Sequence, residues 1–396
     1  MKFGLFYEHQ LPRPWRPDSE YQLLQDSLAQ IELADRLGYD YAWAVEHHFL
    51  EEYSHSSAPE VFLAAASQRT QRIRLGHGII QLTTNHPARV AERVATLDLL
   101  SKGRVELGIG EGSSTTELHP FDRRYRDKRA IWEDAVRCML PMFWESNWAY
   151  DGEHFKFPAR NVVPKPMQQP HPPLWVACSQ METIRMAGRR GMGALAFQFL
   201  NANSAQAWVH AYYNAYTKTL DRLTNYQTNP NLAIVAGFMC APTDEEAQRL
   251  ADGWTFFQFC LAFYGSHGPV APGSLSMWDE YEKWRATTEG QGAGGVSLIG
   301  SPETLRRRLH EFEESHIDQV ILLNQAGKTT HQAICDSLEL FAREVMPEFQ
   351  ARDVAHQAWK QDVLDGRIEL AEIDTTPYQK RAIADPGQKN QALLSR

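Results

Sequence analysis

The chain has 396 residues, 43% of them hydrophobic, and a net charge of -9. That length and apolar content can build one large domain or two ordinary ones. The acidic balance, with a pI near 5.9, argues against nucleic-acid binding, which needs a basic face, so small molecules are the expected partners.

Five cysteines (Cys138, Cys178, Cys240, Cys260 and Cys335) are widely spaced, odd in number and form no CxxC pair. That pattern reads as reduced thiols of a cytosolic protein, not as a zinc ribbon or a disulfide framework. Met1 to Tyr7 lacks the build of a secretory leader, and no stretch reaches roughly 18 apolar residues. A soluble cytoplasmic protein without membrane contact is expected.

From the first residue, short apolar runs alternate with helical patterns, as in βα units of a parallel sheet. Strands are predicted at Phe3 to Tyr7, Tyr41 to Val45, Ile73 to Ile79, Val105 to Ile109, Leu174 to Ala177, Ala194 to Phe197, Leu232 to Met239 and Gln319 to Leu323. Eight such strands predict a closed α/β (β/α)8 TIM barrel. The first helix places Leu24, Leu28, Ile31 and Ala34 on one face, after Asp18 or Ser19 as N-cap and before Gly38 as stop. Another opens at Pro87, turns Val90, Val94 and Leu97 inward and ends at Ser101 to Gly103; a third opens at Ser301, Pro302 and Glu303.

Two segments break the rhythm. A long insertion between strands 4 and 5 holds a helix from Arg129 to Phe143 and a proline-rich stretch at Pro164, Pro166, Pro170, Pro172 and Pro173. After strand 7 the glycines Gly265, Gly268, Gly273, Gly290, Gly292, Gly294 and Gly295 predict a mobile loop, from about Tyr264 through Lys283 to Ser297, that serves as a lid. The barrel is expected over residues 1–350. Residues 351–396, polar and without periodicity, are expected as a tail outside it, disordered or contacting another subunit.

In such a barrel the reactive groups stand at strand C-terminal ends. Strand 2 is followed by Glu46, His47 and His48, and strand 3 by Thr83, Thr84, Asn85 and His86. Strand 4 runs into Gly108, Gly110, Glu111 and Gly112, and strand 5 into Cys178, Ser179 and Gln180. Adjacent residues on extended backbone face opposite ways, so one of His47 and His48 faces the mouth and the other packs aside. That alternation, and the lack of HxxxH or HExxH, argue against metal binding. Ser113 interrupts a GxGxxG, which weakens a dinucleotide site. The glycines either leave room for a flat ligand or serve a tight turn. Ser179 and Glu182 have capping-box spacing, while a helix start there also suits a phosphate, with Arg123, Arg124, Arg126 and Arg129 as nearby positive charge. Phe197 and Phe199, at the end of strand 6, could line an apolar pocket.

The segments EHHF (Glu46 to Phe49), HPARVAERVATLDLLSKGR (His86 to Arg104), LGIGEG (Leu107 to Gly112), PPLWVACS (Pro172 to Ser179) and IGSPETL (Ile299 to Leu305) resemble the bacterial luciferase-like flavin monooxygenases. The resemblance runs from Met1 to about Phe349. It implies a barrel that takes reduced FMN (FMNH2) from a separate flavin reductase. Reaction with O2 through a flavin C4a-peroxide then oxygenates a small apolar organic substrate. A homodimer or higher homo-oligomer is expected. In the same reading His47 does the acid/base work with Glu46 and His48 in support, and a non-prolyl cis peptide at Gly78–Ile79 lies against the flavin ring. Arg129, with Ser179, Thr183 and their neighbours Cys178 and Gln180, meets the phosphate. Tyr264 and Lys283 belong to the lid. Gly110 and Glu111 depart from the family pattern of a cysteine and an arginine, which puts the cofactor grip in question. A deazaflavin-dependent oxidoreductase and a non-catalytic flavin-binding protein are the alternatives; EHHF favours the monooxygenase.

Overall fold

The computed structural model describes residues 1–197, 202–292 and 297–376. All eight predicted strands form: β1 Lys2–Tyr7, β2 Tyr41–Ala44, β3 Arg74–His77, β4 Val105–Gly110, β5 Leu174–Cys178, β6 Gly193–Ala196, β7 Leu232–Cys240 and β8 Gln319–Gln325. They pair in parallel in chain order, and β8 returns to β1 at Lys2↔Gln319, closing a TIM barrel. The predicted third strand is shorter than expected. It ends at His77, and the chain re-joins β4 as a two-residue strand, Ile80–Gln81, with Gly78 and Ile79 between.

The strands are apolar because the barrel buries both of their faces; all nine residues of β7 are buried. Outward residues such as Leu5, Leu75, Leu107 and Leu322 pack under the helices, while Phe6, Trp43, Val45, Trp175, Val235 and Leu323 fill the interior. The β4–β5 insertion holds the helix Lys128–Met139, which passes at Pro141 into a 3-10 turn (Leu140–Phe143), and an antiparallel hairpin, Trp148–Asp151 with Lys156–Arg160.

The excursion after β7 is more ordered than its glycines suggest. It carries helices Phe256–Ser266, Met277–Arg285 and Thr288–Gly292, then a strand Leu298–Gly300 that pairs with β7. Phe256–Ser266 inserts Phe256, Phe257, Phe259 and Cys260 into the aromatic interior. Glu52, fully buried on the loop after β2, accepts the Met277 and Trp278 backbone N–H groups at 2.8 and 3.1 Å and so pins the next helix. Among the described residues no helix is long and apolar enough to cross a membrane.

The segment beyond 351 is less separate than its composition suggests. Helix Asp353–Leu364 lies against the N-terminal end of the barrel: Asp353 binds the Met1 ammonium at 2.8 Å, and Lys360 and His356 reach Asp318 at 3.0 and 2.8 Å. Asp318 also accepts from the Tyr213 hydroxyl and the Leu232 N–H, both at 2.7 Å. Burial works against its charge, but Lys360, His356 and Tyr213 outweigh it and hold the carboxyl well below the usual range. A charge so placed is costly to leave unmatched. Asp318→Ala, which strands a buried ammonium, is expected to lower stability by roughly 3–5 kcal/mol, read from the urea midpoint. A change below about 1 kcal/mol, the worth of a surface pair, would remove this anchor from the account.

Candidate active site

At the C-terminal end of β2 the chain turns sharply, with Phe49 at φ 65°, and the two histidines part as alternation requires. His47 enters a pocket walled by Glu8, at the end of β1, and by Glu117, on the short helix Thr115–Leu118. Its Nδ1 lies 2.8 Å from Glu117 Oε1 and its Nε2 lies 3.3 Å from Glu8 Oε1. His48 goes the other way, pairing with Glu46 at 3.0 Å and packing on Phe121.

Glu46 therefore supports His48 rather than His47. Its carboxylate also accepts from the Gln81 N–H at 3.0 Å and the Asn85 amide at 2.7 Å, tying the β2 end to the segment after β3. The direct partner of His47 is Glu117, whose oxygens further accept from the His48 N–H, the Gln81 amide and the Ser114 hydroxyl at 3.2, 2.6 and 2.9 Å.

Burial alone would discharge the imidazole, yet Glu117 and Glu8 overcome it and raise His47 to about 9. Glu117 is correspondingly lowered: His47, Gln81 and Ser114 outweigh its burial. Glu8, only 1% exposed, is pushed up to about 8 by burial, with His47 opposing. His47 thus sits between two buried carboxyl groups shifted in opposite directions, Glu117 down and Glu8 up.

Neither Glu8 nor Glu117 is among the residues singled out from sequence. Both left a signal: Glu8 directly follows β1, where strand-end reasoning applies as well as at β2, and Ser114 with Glu117 has capping-box spacing. Ser114 caps that helix by accepting from the Glu117 N–H.

The glycine turn has a packing cause. A Cβ on Gly108 would collide with the His77 carbonyl, and one on Gly110 would come within 2.7 Å of Ile79. These residues are glycine so that the chain after β3 can cross β4. The cis peptide bonds among the described residues all precede proline, so the non-prolyl cis bond expected at Gly78–Ile79 is absent; the Gly78 N–H instead donates to the Ala44 carbonyl at 2.8 Å. Ile79 stays half-buried at the edge of the aromatic interior.

Arg129 stands at the start of helix Lys128–Met139 but is engaged: its Nε lies 2.5 Å from Glu111 Oε1, with Lys128 3.7 Å from the other oxygen. The helix after β5 is capped by Gln180, not by Ser179. Thr183 accepts the Gln180 N–H at 3.1 Å, and Glu182 turns away to Arg189 at 2.8 Å, leaving Ser179 exposed. Cys178 is buried, its thiol directed at the Thr183 carbonyl.

Over the mouth, Phe197 packs on Phe6, and Tyr264 stacks on Tyr53, whose ring centroid is 5.6 Å from that of His47. Phe199 lies outside the described residues. Lys283 does not join the site: it is exposed and binds Glu280 of its own helix at 2.6 Å. Among the described residues no set of three His, Cys, Asp or Glu side chains is placed to hold a metal.

The model of the "Luciferase-like monooxygenase" family matches residues 1–319. The chain belongs to the luciferase-like monooxygenase family. It is 24% identical to the oxygenase component of the flavin-dependent trigonelline monooxygenase of Acinetobacter baylyi, over 89% of this chain and 97% of that one. It is 36% identical to the uncharacterized protein y4wF of Sinorhizobium fredii, over 42% of this chain and about half (48%) of that one. The fold is shared with monooxygenase RslO1 of Streptomyces bottropensis (TM-score 0.72, 23% identity, 88% of this chain and 100% of that one). It is shared too with the FMN complex of the oxygenating constituent of 3,6-diketocamphane monooxygenase of Pseudomonas putida (0.69, 21%, 88% and 98%). The coenzyme F420-dependent tetrahydromethanopterin reductase of Methanopyrus kandleri has the same barrel (0.64, 20%, 88% and 99%). Members of this luciferase-like family are enzymes, and so is this chain.

Because the folded state raises the His47 pKa, the imidazolium's contribution to stability is complete below about 6.5 and is lost as the pH rises through about 9. The stability difference between the native chain and His47→Ala should accordingly shrink from pH 6 to pH 10 in urea titrations. A difference that stays flat over that range would mean that the ring is neutral in the folded protein.

Proposed function

We propose that the enzyme is a flavin-dependent monooxygenase that uses reduced FMN and O2 to oxygenate a small apolar organic substrate. The observation that carries this reading is the His47 ring, held between Glu8 and Glu117 beneath an aromatic mouth, in a barrel of this family.

The residues present fit a phosphate-bearing flavin. Arg129 and Lys128 already converge on one carboxylate, that of Glu111, which makes an anion seat of two cations. Cys178, the residue before Ser179 and Gln180, senses the charges of Arg129 and Glu111, which brings the start of helix Met181–Arg190 toward this seat, and the Met181 and Glu182 N–H groups that its cap leaves open suit a phosphate. Glu111 must release Arg129 for a phosphate to enter. The half-buried Ile79 offers an apolar edge for the ring.

When bound, the flavin supplies electrons to oxygen. The chain supplies the rest. Glu117 fixes Nδ1 of His47, so Nε2 is the ring atom that can exchange a proton with the reacting group. Tyr53, Phe197, Phe257 and Tyr264 shed water from the mouth and favour an apolar substrate. Glu52 holds the covering helices in place. Supply of reduced flavin by a separate reductase is supported by the description of the Acinetobacter relative as an oxygenase component. Self-association is supported by Val61, Leu99 and Leu100, which are exposed on two adjacent helices, Pro59–Arg69 and Pro87–Leu100.

Oxygen uptake with a flavin reductase, FMN and a panel of apolar substrates tests the reading. Substrate-dependent uptake with FMN supports it, and hydride transfer with coenzyme F420 and no oxygen uptake would replace it with the deazaflavin alternative. Within that assay His47→Ala should lower coupled turnover by roughly 10²–10⁴-fold and divert oxygen to hydrogen peroxide. Full, coupled turnover in this variant would take the proton step away from His47.

A further inference from the structure

Glu8 is the member of the site whose chemistry remains open. It is 1% exposed, and its Oε1 makes no hydrogen bond of good geometry although His47 Nε2 lies 3.3 Å away. Among the described residues, no cation other than that imidazole acts on the carboxyl. The groups facing the pair are Glu117 from helix Thr115–Leu118, Glu46 from the β2 end, Tyr53 from the loop that follows, and Cys260 and Tyr264 from helix Phe256–Ser266. Ser54 gives its hydroxyl to the Glu8 backbone carbonyl at 2.7 Å, and its lowering effect on the carboxyl is outweighed by burial.

A carboxylate this deeply buried, with the His47 ring at 3.3 Å as its counter-charge and no well-formed hydrogen bond to it, is destabilised as an anion, and keeping its proton avoids that cost. The proton would have one nearby destination. Nδ1 of His47 is taken by Glu117, so any proton that His47 gives up leaves from Nε2, the atom beside Glu8.

We propose that Glu8 is a buried carboxylic acid that holds a reserve proton for His47, a positioning residue that acts through the imidazole. When Nε2–H of His47 breaks and its proton passes to the reacting group, the Glu8 O–H breaks and a new Nε2–H forms. Glu8 is left as a carboxylate against a restored imidazolium, and solvent returns one proton later. No electron moves in this step. Its use in turnover rests on the proton-exchanging role proposed for His47, but its existence does not, and it can be tested in the ligand-free chain.

The test is an NMR titration of the His47 ring and of the Glu8 side-chain carboxyl carbon between pH 5 and 11, in the native chain and in Glu8→Gln and Glu8→Asp. In the native chain the carboxyl carbon should report a protonated acid at pH 7 that ionises near 8. Glu8→Gln keeps a polar neutral group but cannot ionise, so the carboxylate charge that faces His47 once Glu8 ionises near 8 is lost and the His47 midpoint should fall by roughly 1–3 units. Glu8→Asp should recover part of that shift. A His47 midpoint unmoved in folded Glu8→Gln would overturn the proposal. So would a native Glu8 carbon already ionised at pH 7, which needs no variant to fold. Failure of the flavin reading would show instead as absent FMN binding with both titrations as expected.

Discussion

Four buried carboxylates govern this end of the barrel. Glu8, Glu46, Glu52 and Glu117 are each no more than 7% exposed, and an isolated charge at such depth would cost several kcal/mol. Each has a different remedy. Glu52 takes the N–H groups that begin helix Met277–Arg285, Glu46 joins His48 to Gln81 and Asn85, Glu117 gathers four donors, and Glu8 stays protonated. Together these fix the loops after β1, β2, β3 and β4 and the cover from β7 in one arrangement. The placement of the His47 imidazole against Glu117 follows from the same need to match charge.

The cofactor end of the site obeys a different constraint, that of space. Gly108 and Gly110 leave room for the chain crossing from β3, and Ile79 lies over Gly110, so one edge of the mouth is apolar and shaped by backbone. Beyond it Glu111 occupies the two cations that a phosphate would seek. A carboxylate held there keeps Arg129 and Lys128 oriented without a ligand, at the expense of competing with one. The departure from the family pattern at Glu111 thus has a local logic: it satisfies the cations internally.

The barrel itself was legible because each strand is apolar on both faces and each βα unit repeats the same signals. Cap residues, stop glycines and β-branched runs are local, and they fix element type without reference to the rest of the chain. The excursion after β7 misled for the same reason. Glycines and polar residues read locally as a mobile loop, whereas the aromatic run from Phe256 folds as a helix because the barrel interior gives it a place to bury. The polar C-terminal segment likewise forms a helix because Asp318, far away in sequence, needs cations.

At the active site the sequence by itself determined the strand-end position of Glu46 to Phe49, and backbone alternation limited the pair to one mouth-facing histidine. Which carboxylates meet that histidine was decided only by tertiary structure. Glu8 lies 39 positions before His47 and Glu117 70 after it in the chain, and closure of the barrel sets three separate loops side by side. Contacts of that kind carry no periodicity and no spacing rule; they come from the geometry of a closed sheet, and so does the charge state of His47.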